Sequence, residues 1–285
     1  MAESAFQTQY RQEMIATFEV GVSLAYQSTT HEAVVSGNTA TFLVAGSGGA
    51  TAVTRGVNGQ IPGRPNDLTQ VSCTLAEWHD LPQITGFNIC ASQGNIRTLM
   101  QRTTMEVINR KLDDLIITEL NTATNNVNST GEAASIDMIA HAKTILGTNK
   151  VPFDQQITSL ITPAFEAYLE QIPEYASADY VNLRALDGNN GNEFANSMKA
   201  RNWMGVNWIV HPELPGVGTA SEKCFMYHKS AIGCAMDTEG MKCPVGYEEE
   251  QDYSWSRCTA YTGSKLLQNS GVVVMTHDGS GYAAV

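Results

Sequence analysis

The sequence predicts an α+β fold, and three stretches of the 285-residue chain predict it. The first is Ser92–Ala123. Apolar residues recur there at Ile96, Leu99, Met100, Val107, Ile108, Leu112, Leu115, Ile116, Leu120 and Ala123. Steps of three, four, seven and eight gather side chains on one helical face. The second stretch, residues 36–85, reads as two alternating β-rich runs around a glycine-rich connection. The third begins near residue 134. Helical and strand patterns interleave up to about residue 240, and residues 242–285 then read as β.

Residues 1–35 open with a polar arm, AESAFQTQYRQ. A weak helix follows over residues 12–26, through Met14, Ile15, Phe18, Val22 and Leu24, with Gly21 interrupting it. A segment of this kind orders when it lies on a neighbour. Next come the strands Thr39–Val44 (TATFLV) and Leu68–Leu75 (LTQVSCTL). Between them AGSGGATAVTRGVNGQIPGRP is dense in glycine and carries Pro62 and Pro65. A connection of that length without a helix is uncommon inside a compact domain, so it is expected to reach out and lie on something else.

The Ser92–Ala123 rod contains no proline, and its one glycine, Gly94, falls in the first turn. Ser92 or Asn95 is suited to cap its start. At 1.5 Å per residue it spans roughly 48 Å. Arg97, Arg102, Arg110 and Lys111 balance Glu106, Asp113, Asp114 and Glu119. A neutral amphipathic rod needs a sheet or a helix over its apolar side.

Beyond the rod, Ser135–Leu146 reads as a short helix stopped at Gly147, and Ile157–Ile161 as an apolar strand. Thr162-Pro163 gives an N-cap followed by proline at the first helical position, opening a helix over Pro163–Ile172. Residues 187–192 (DGNNGN) form a polar loop; Met204–Val210 and Cys224–His228 are strands. In Tyr253–Tyr261, Ser254, Ser256, Cys258 and Ala260 share a small-residue face that lets a strand sit close against a helix. Gly271–Met275 is a buried strand. These late strands are expected beside the rod.

Composition narrows the function. A formal charge of −12, from 17 basic and 29 acidic residues, argues against wrapping nucleic acid, which requires Lys and Arg on phosphates. An acidic wall that repels a duplex suits a container better than a reader. Charged residues make up only 16% of the chain, and an amide-rich surface of that kind favours extensive protein contact. The six cysteines form no C-x-x-C pair, so reduced thiols made in a cytoplasm are the default expectation. No basic-plus-apolar leader and no apolar run of 18 residues is visible, so neither export nor a membrane span is expected.

Enzymatic signatures are missing or broken. His31-Glu32 begins like H-E-x-x-H, but Val35 stands where the second histidine belongs. Gly46-Ser47-Gly48-Gly49 lacks the third glycine and the helix of a dinucleotide fingerprint, and no G-x-S-x-G occurs. His79-Asp80 and His277-Asp278 are adjacent pairs, and adjacent residues on an extended chain point to opposite faces. His211 before Pro212 reads as a strand terminator. Glu248-Glu249-Glu250 is a solvated acidic loop, a cation site, or a partner for an arginine on a neighbouring copy. Asp113-Asp114 carries the same readings, with the arginine partner favoured. The glycine-rich tip supplies Arg55 and Arg64. These seven residues are the candidates for contact between subunits. No catalytic residue, metal or cofactor is expected.

The order of parts is specific. It rests on TATFLVAG…RGVNGQIPGRP…LTQVSCTLAEWHDLP, on SQGNIRTLMQRTTMEVINRKLDDLIITEL and on YSWSRCTAYTGSKLLQNSGVVVMTHDGSGYAAV. Together they resemble the major capsid protein of tailed double-stranded DNA phages, with the Hong Kong 97-like fold, over nearly the whole chain. The resemblance implies an N-terminal arm (1–35), an extended E-loop (36–85), a P-domain with the spine helix (86–133) and its return strands (242–285), and an inserted A-domain (134–241). It also implies hexamers and pentamers closing into an icosahedral shell around the genome, in a virion assembled in the host cytoplasm. The founding member cross-links through an E-loop lysine. Residues 36–85 contain none, since Lys111 is the first in the chain, so reinforcement between copies is expected to be non-covalent. No hundred-residue helical segment precedes the arm, so a separate scaffolding protein is expected, with a portal. Alternatives are an encapsulin-type compartment, a metal-dependent hydrolase built on scattered His and Asp, and a tail subunit.

Overall fold

The computed structural model describes residues 23–31, 34–46, 49–63, 67–91, 96–128, 131–176, 201–237 and 240–282. The arm before Ser23, the capping positions Ser92 and Asn95, Arg64 and the loop 187–192 lie outside the described residues.

The architecture is mixed α and β. The first strands are β1 (Val34–Ser36), β2 (Thr39–Gly46), β3 (Asp67–Thr74), β4 (Ala76–Asp80) and β5 (Gln83–Thr85). Helices α1 (Gly86–Ala91) and α2 (Ile96–Leu120) follow, then β6 (Asn126–Asn128), α3 (Ile136–Thr148), β7 (Ile157–Ile161), α4 (Pro163–Glu170) and α5 (Pro173–Ala176). The chain goes on through β8 (Arg201–Trp203), β9 (Val206–Val210), β10 (Glu222–His228) and β11 (Ile232–Met236). It ends with β12 (Val245–Glu248), β13 (Tyr253–Ser256), β14 (Cys258–Leu266) and β15 (Val272–His277). Two compact units emerge. Among the described residues, the first holds residue 23 with 76–113 and 236–262; the second holds 24–75, 114–235 and 263–282.

The second unit is built on a six-stranded sheet in the order β6-β15-β10-β7-β9-β8. All five residues of β7 are buried, as a strand covered on both faces requires. Met138, Ile139, Ala142 and Leu146 of α3 and Phe165 and Leu169 of α4 join Trp208, Met226 and Met275 in its core. Local chemistry sets the helix starts. The Ser135 hydroxyl accepts from the Met138 N–H, and the Thr162 hydroxyl accepts from the Phe165 N–H with Pro163 behind it. Between β8 and β9, Met204 (φ 53°) and Gly205 (φ 75°) form the two-residue, positive-φ turn that matches strand twist.

Strands β2 and β3 pair in antiparallel register from Thr39↔Thr74 to Gly46↔Asp67, with β1 on the β2 edge. The root of this hairpin is packed. Ala40, Phe42 and Cys73 bury together with Ala235, and Val35, Leu75 and Leu267 lie against them. A Cβ on Gly233 would meet the Phe42 ring at 2.6 Å, and one on Gly263 would meet the Thr74 carbonyl at 2.7 Å. Both glycines admit the root by having no side chain.

In the first unit, β14 pairs with β4 from Cys258↔Asp80 to Thr262↔Ala76. The small-residue face behaves as its pattern predicts: Ser254, Ser256, Cys258 and Ala260 are each 0% exposed. Cys258 and Ala260 lie on Ile108 of α2, with Trp78 alongside. The Lys111 ammonium sits 4.4 Å from the Trp78 ring centre. A second three-stranded sheet runs β12-β13-β5.

Four expectations are corrected. Strand β15 is not beside the rod: it pairs with β10 and, in parallel, with β6 inside the six-stranded sheet. A continuously apolar run fits any doubly covered position and names no partner. The Tyr253–Tyr261 stretch is two strands in two sheets, broken at Arg257, whose N–H turns to the Pro244 carbonyl. Helix α2 does not bury a single face. Its buried row is Met100, Thr104, Ile108, Leu112, Ile116 and Leu120, with Glu106, Asp113 and Ile117 beside it. Steps of four overshoot a 3.6-residue turn by about 40°, so the row winds around the axis.

The fourth concerns the thiols. Cys243 and Cys258 are joined in a disulfide, while Cys73, Cys224 and Cys234 keep buried thiols outside any disulfide. Lys242 and Thr259 exchange both backbone hydrogen bonds, at 3.0 and 2.9 Å. The next pair along the ladder, Cys243 and Cys258, is therefore a non-hydrogen-bonded pair, where facing side chains come closest. Their separation of 15 residues carries no sequence motif.

Candidate functional site

Six of the seven candidate contact residues are described, and they fall on two exposed segments and the rod. Arg55 lies in the connection between β2 and β3. Its guanidinium donates to the Gly59 carbonyl at 3.3 Å, across a turn closed by Gly56 N–H to Gln60 O at 2.9 Å. One of five donors is thus spent on the arginine's own turn. Around it the hairpin presents apolar side chains to solvent: Val57 fully, with Leu43, Val53, Ile61 and Leu68 each more than half exposed. Arg64 lies outside the described residues.

Glu248 ends β12 opposite Tyr253 and is half-buried, whereas Glu249 and Glu250 are exposed in the turn that follows. The turn is tied down by the Tyr247 hydroxyl, which donates to Asp252, and by the Gly86 N–H, which donates to the Asp252 carbonyl. On α2 the two aspartates part company. Asp114 is exposed. Asp113 is 1% exposed and accepts a hydrogen bond from the Ser23 hydroxyl at 2.5 Å. Its carboxylate is therefore an internal acceptor, a role that a paired-acid motif does not reveal.

The hydrolase rival would need a clustered set of donors. Among the described residues no three of His, Cys, Asp and Glu are grouped to hold a metal ion. His79 faces Glu77 at 2.7 Å, its ring also in contact with the Thr259 hydroxyl. His277 turns away from Asp278 to Glu222, directly opposite on β10, at 3.2 Å. Both members of that pair are buried, 0% and 1% exposed. The Gly218 N–H donates to the Glu222 carboxylate, and a Cβ on Gly279 would strike it at 2.0 Å. Phe165 stands edge-on to the imidazole at 5.0 Å. Nearby, Cys224 is fully buried and its thiol is pushed up to about 12 by burial, so it is inert as a nucleophile. Burial holds the His277 imidazole below its ordinary value, although Glu222 and Asp278 pull the other way.

That depression has a sign. Where the unfolded imidazole is protonated and the folded one is not, the unfolded state binds more protons, so stability falls as pH drops below the ordinary value of 6.5. The variant His277→Gln keeps a donor for Glu222 and loses the titration. Chemical denaturation between pH 7 and 5 is expected to show a shallower acid slope in the variant, by up to one proton, or about 1.4 kcal/mol per pH unit. Equal slopes would assign the acid sensitivity elsewhere.

No described helix is long and apolar enough to cross a membrane. The chain matches the family model described as "Phage capsid protein" over residues 2–279. No curated protein sequence matches it. Among solved structures it is similar to the capsid asymmetric unit of cyanophage Pam1 at TM-score 0.69 and 12% identity, covering 99% of this chain and 98% of that one. Mycobacterium phage Che8 gives 0.67 at 14% identity, covering 96% and 98%. The capsid of a native GTA particle gives 0.66 at 11% identity, covering 95% and 94%. At such low identities the structural likeness shows the shared fold alone. The chain belongs to the phage capsid protein family. The resemblance read from the residues, to the major capsid proteins with the Hong Kong 97-like fold, is thereby upheld, and the chain is a structural protein of a capsid shell.

Proposed function

We propose that this chain is the repeating tile of an icosahedral shell, arranged as hexamers and pentamers around double-stranded DNA. Residues 36–85 are its E-loop and residues 1–35 its arm. Helix α2 is the spine of a P-domain drawn from residues 86–133 and from the return segment that begins at residue 242, and residues 134–241 form the A-domain, whose sheet β15 completes. The observation that carries the reading is the hairpin β2–β3, whose root is packed through Phe42 while Leu43, Val53, Val57, Ile61 and Leu68 face solvent. Exposed apolar surface on a rooted arm marks a contact with another protein. In a closed shell each weak contact is multiplied by symmetry.

With no lysine in residues 36–85, the E-loop holds its neighbours without covalent bonds. Arg55 and Arg64 face carboxylates of adjacent copies, drawn from Asp114 and Glu248–Glu250, while Asp113 stays with Ser23. The net charge of −12 keeps the enclosed duplex off the wall. Assembly takes place in a host cytoplasm with a separate scaffolding protein and a portal.

Electron microscopy of the purified chain over a concentration series tests this. Closed particles or capsomer rings are expected. A monomer at every concentration, with the amides of residues 39–74 as slow to exchange as those of the six-stranded sheet, would end the proposal.

A further inference from the structure

We infer that Cys243 and Cys258 form a redox latch that clamps the β12–β13 hairpin at its base. The two cysteines flank that hairpin: one lies just before Val245, the other begins β14 just after Ser256. Their sulfurs close a loop holding both strands and the acidic turn Glu248–Glu250. Without the bond the hairpin is held only by non-covalent ties: its backbone pairing with β5, the Lys242–Thr259 and Arg257–Pro244 hydrogen bonds at its base, the Asp252 contacts at its turn, and Gly246 against the Trp255 ring. With the bond, the hairpin cannot leave the Cys258–Ala260 strand that packs on Ile108. The Gln101 amide anchors the same point by donating to the Cys243 carbonyl at 3.1 Å.

The placement also sets selectivity and order. Cys243 is half-buried, so a small disulfide reagent reaches it, whereas Cys258 is 0% exposed. The described thiols outside the disulfide, Cys73, Cys224 and Cys234, are all buried. From the dithiol state, the Cys243 thiolate attacks one sulfur of glutathione disulfide and releases one glutathione. The Cys258 thiolate then attacks the mixed disulfide at the Cys243 sulfur and releases the second. Two protein thiols lose two electrons and two protons; one glutathione disulfide becomes two glutathiones. A reducing cytoplasm therefore leaves the hairpin unclamped, and an oxidising medium locks it. The latch lies within the first unit of one subunit and does not depend on how copies of the chain meet.

The test uses the full chain equilibrated in buffers of reduced or oxidised glutathione. Peptide mapping is expected to find the Cys243–Cys258 bond in the oxidised arm. A glutamate-specific protease should then cut within residues 248–250 at least about tenfold more slowly than in the reduced arm, because opening now works against loop closure. The variant Cys243→Ser should cut at the reduced rate in both buffers and leave buried Cys258 in place. Failure to find the bond overturns the latch. So does finding it with equal cutting rates, because the hairpin is then held by its packing alone. Whether particles form does not bear on either result.

Discussion

Replacing residues 47–66 with Asn-Gly is expected to leave a folded chain that makes no particles. Gly46 and Asp67 are the last register pair of β2 and β3, and a two-residue Asn-Gly turn closes such a pair in the conformation that hairpins favour. The packed root, Ala40, Phe42 and Cys73, is untouched. What is lost is the apolar set Val53, Val57 and Ile61. Burying one such side chain on a neighbour is worth about 1.5–3 kcal/mol. Even if half of the sum goes to ordering the arm, about 3 kcal/mol per contact disappears, which is more than a hundredfold in each contact equilibrium. Negative-stain images and sedimentation would report it, with a thermal melt to show that the subunit still folds. Normal particles from the variant would mean that the hairpin tip is ornamental.

Truncating Phe42 to alanine should act from the other end of the same hairpin. Its ring is 2% exposed and lies on Gly233, so no side chain there can collapse into the space left behind. Such a cavity costs about 3–5 kcal/mol. The cost falls on the root, so amide exchange across residues 39–46 and 67–74 should speed up by about a hundredfold or more, while β7 and β10 keep their protection. Uniform loss of protection across the six-stranded sheet would show that the root is not a separate opening unit.

What could be read from the residues follows the range of the physics. Ser135, Thr162 and Pro163 act on backbone groups within three positions, and the helices begin where those letters say. Period-two alternation found the buried face of Ser254, Ser256, Cys258 and Ala260. It missed the break at Arg257, because the alternation continues across it. Strand β4 was hidden for another reason: Ala76–Asp80 carries two acids and a histidine, as a half-exposed strand can. Pairings between distant residues left no trace. Glu222 faces His277, and Cys243 faces Cys258, because their strands run side by side. Among the candidate contacts, the glutamates of the β12–β13 turn were placed on an exposed segment by composition alone. The inward turn of Asp113 depends on Ser23, ninety positions away.

The sheet of the second unit sets a condition on synthesis. Val272–His277 lies between Asn126–Asn128 and Glu222–His228, yet it leaves the ribosome after both. Until those six residues arrive, the backbone edge carrying Phe225, Met226 and Tyr227 is open and the strand at Asn126 has nothing to join. A chain released before Val272 thus cannot shut its own sheet.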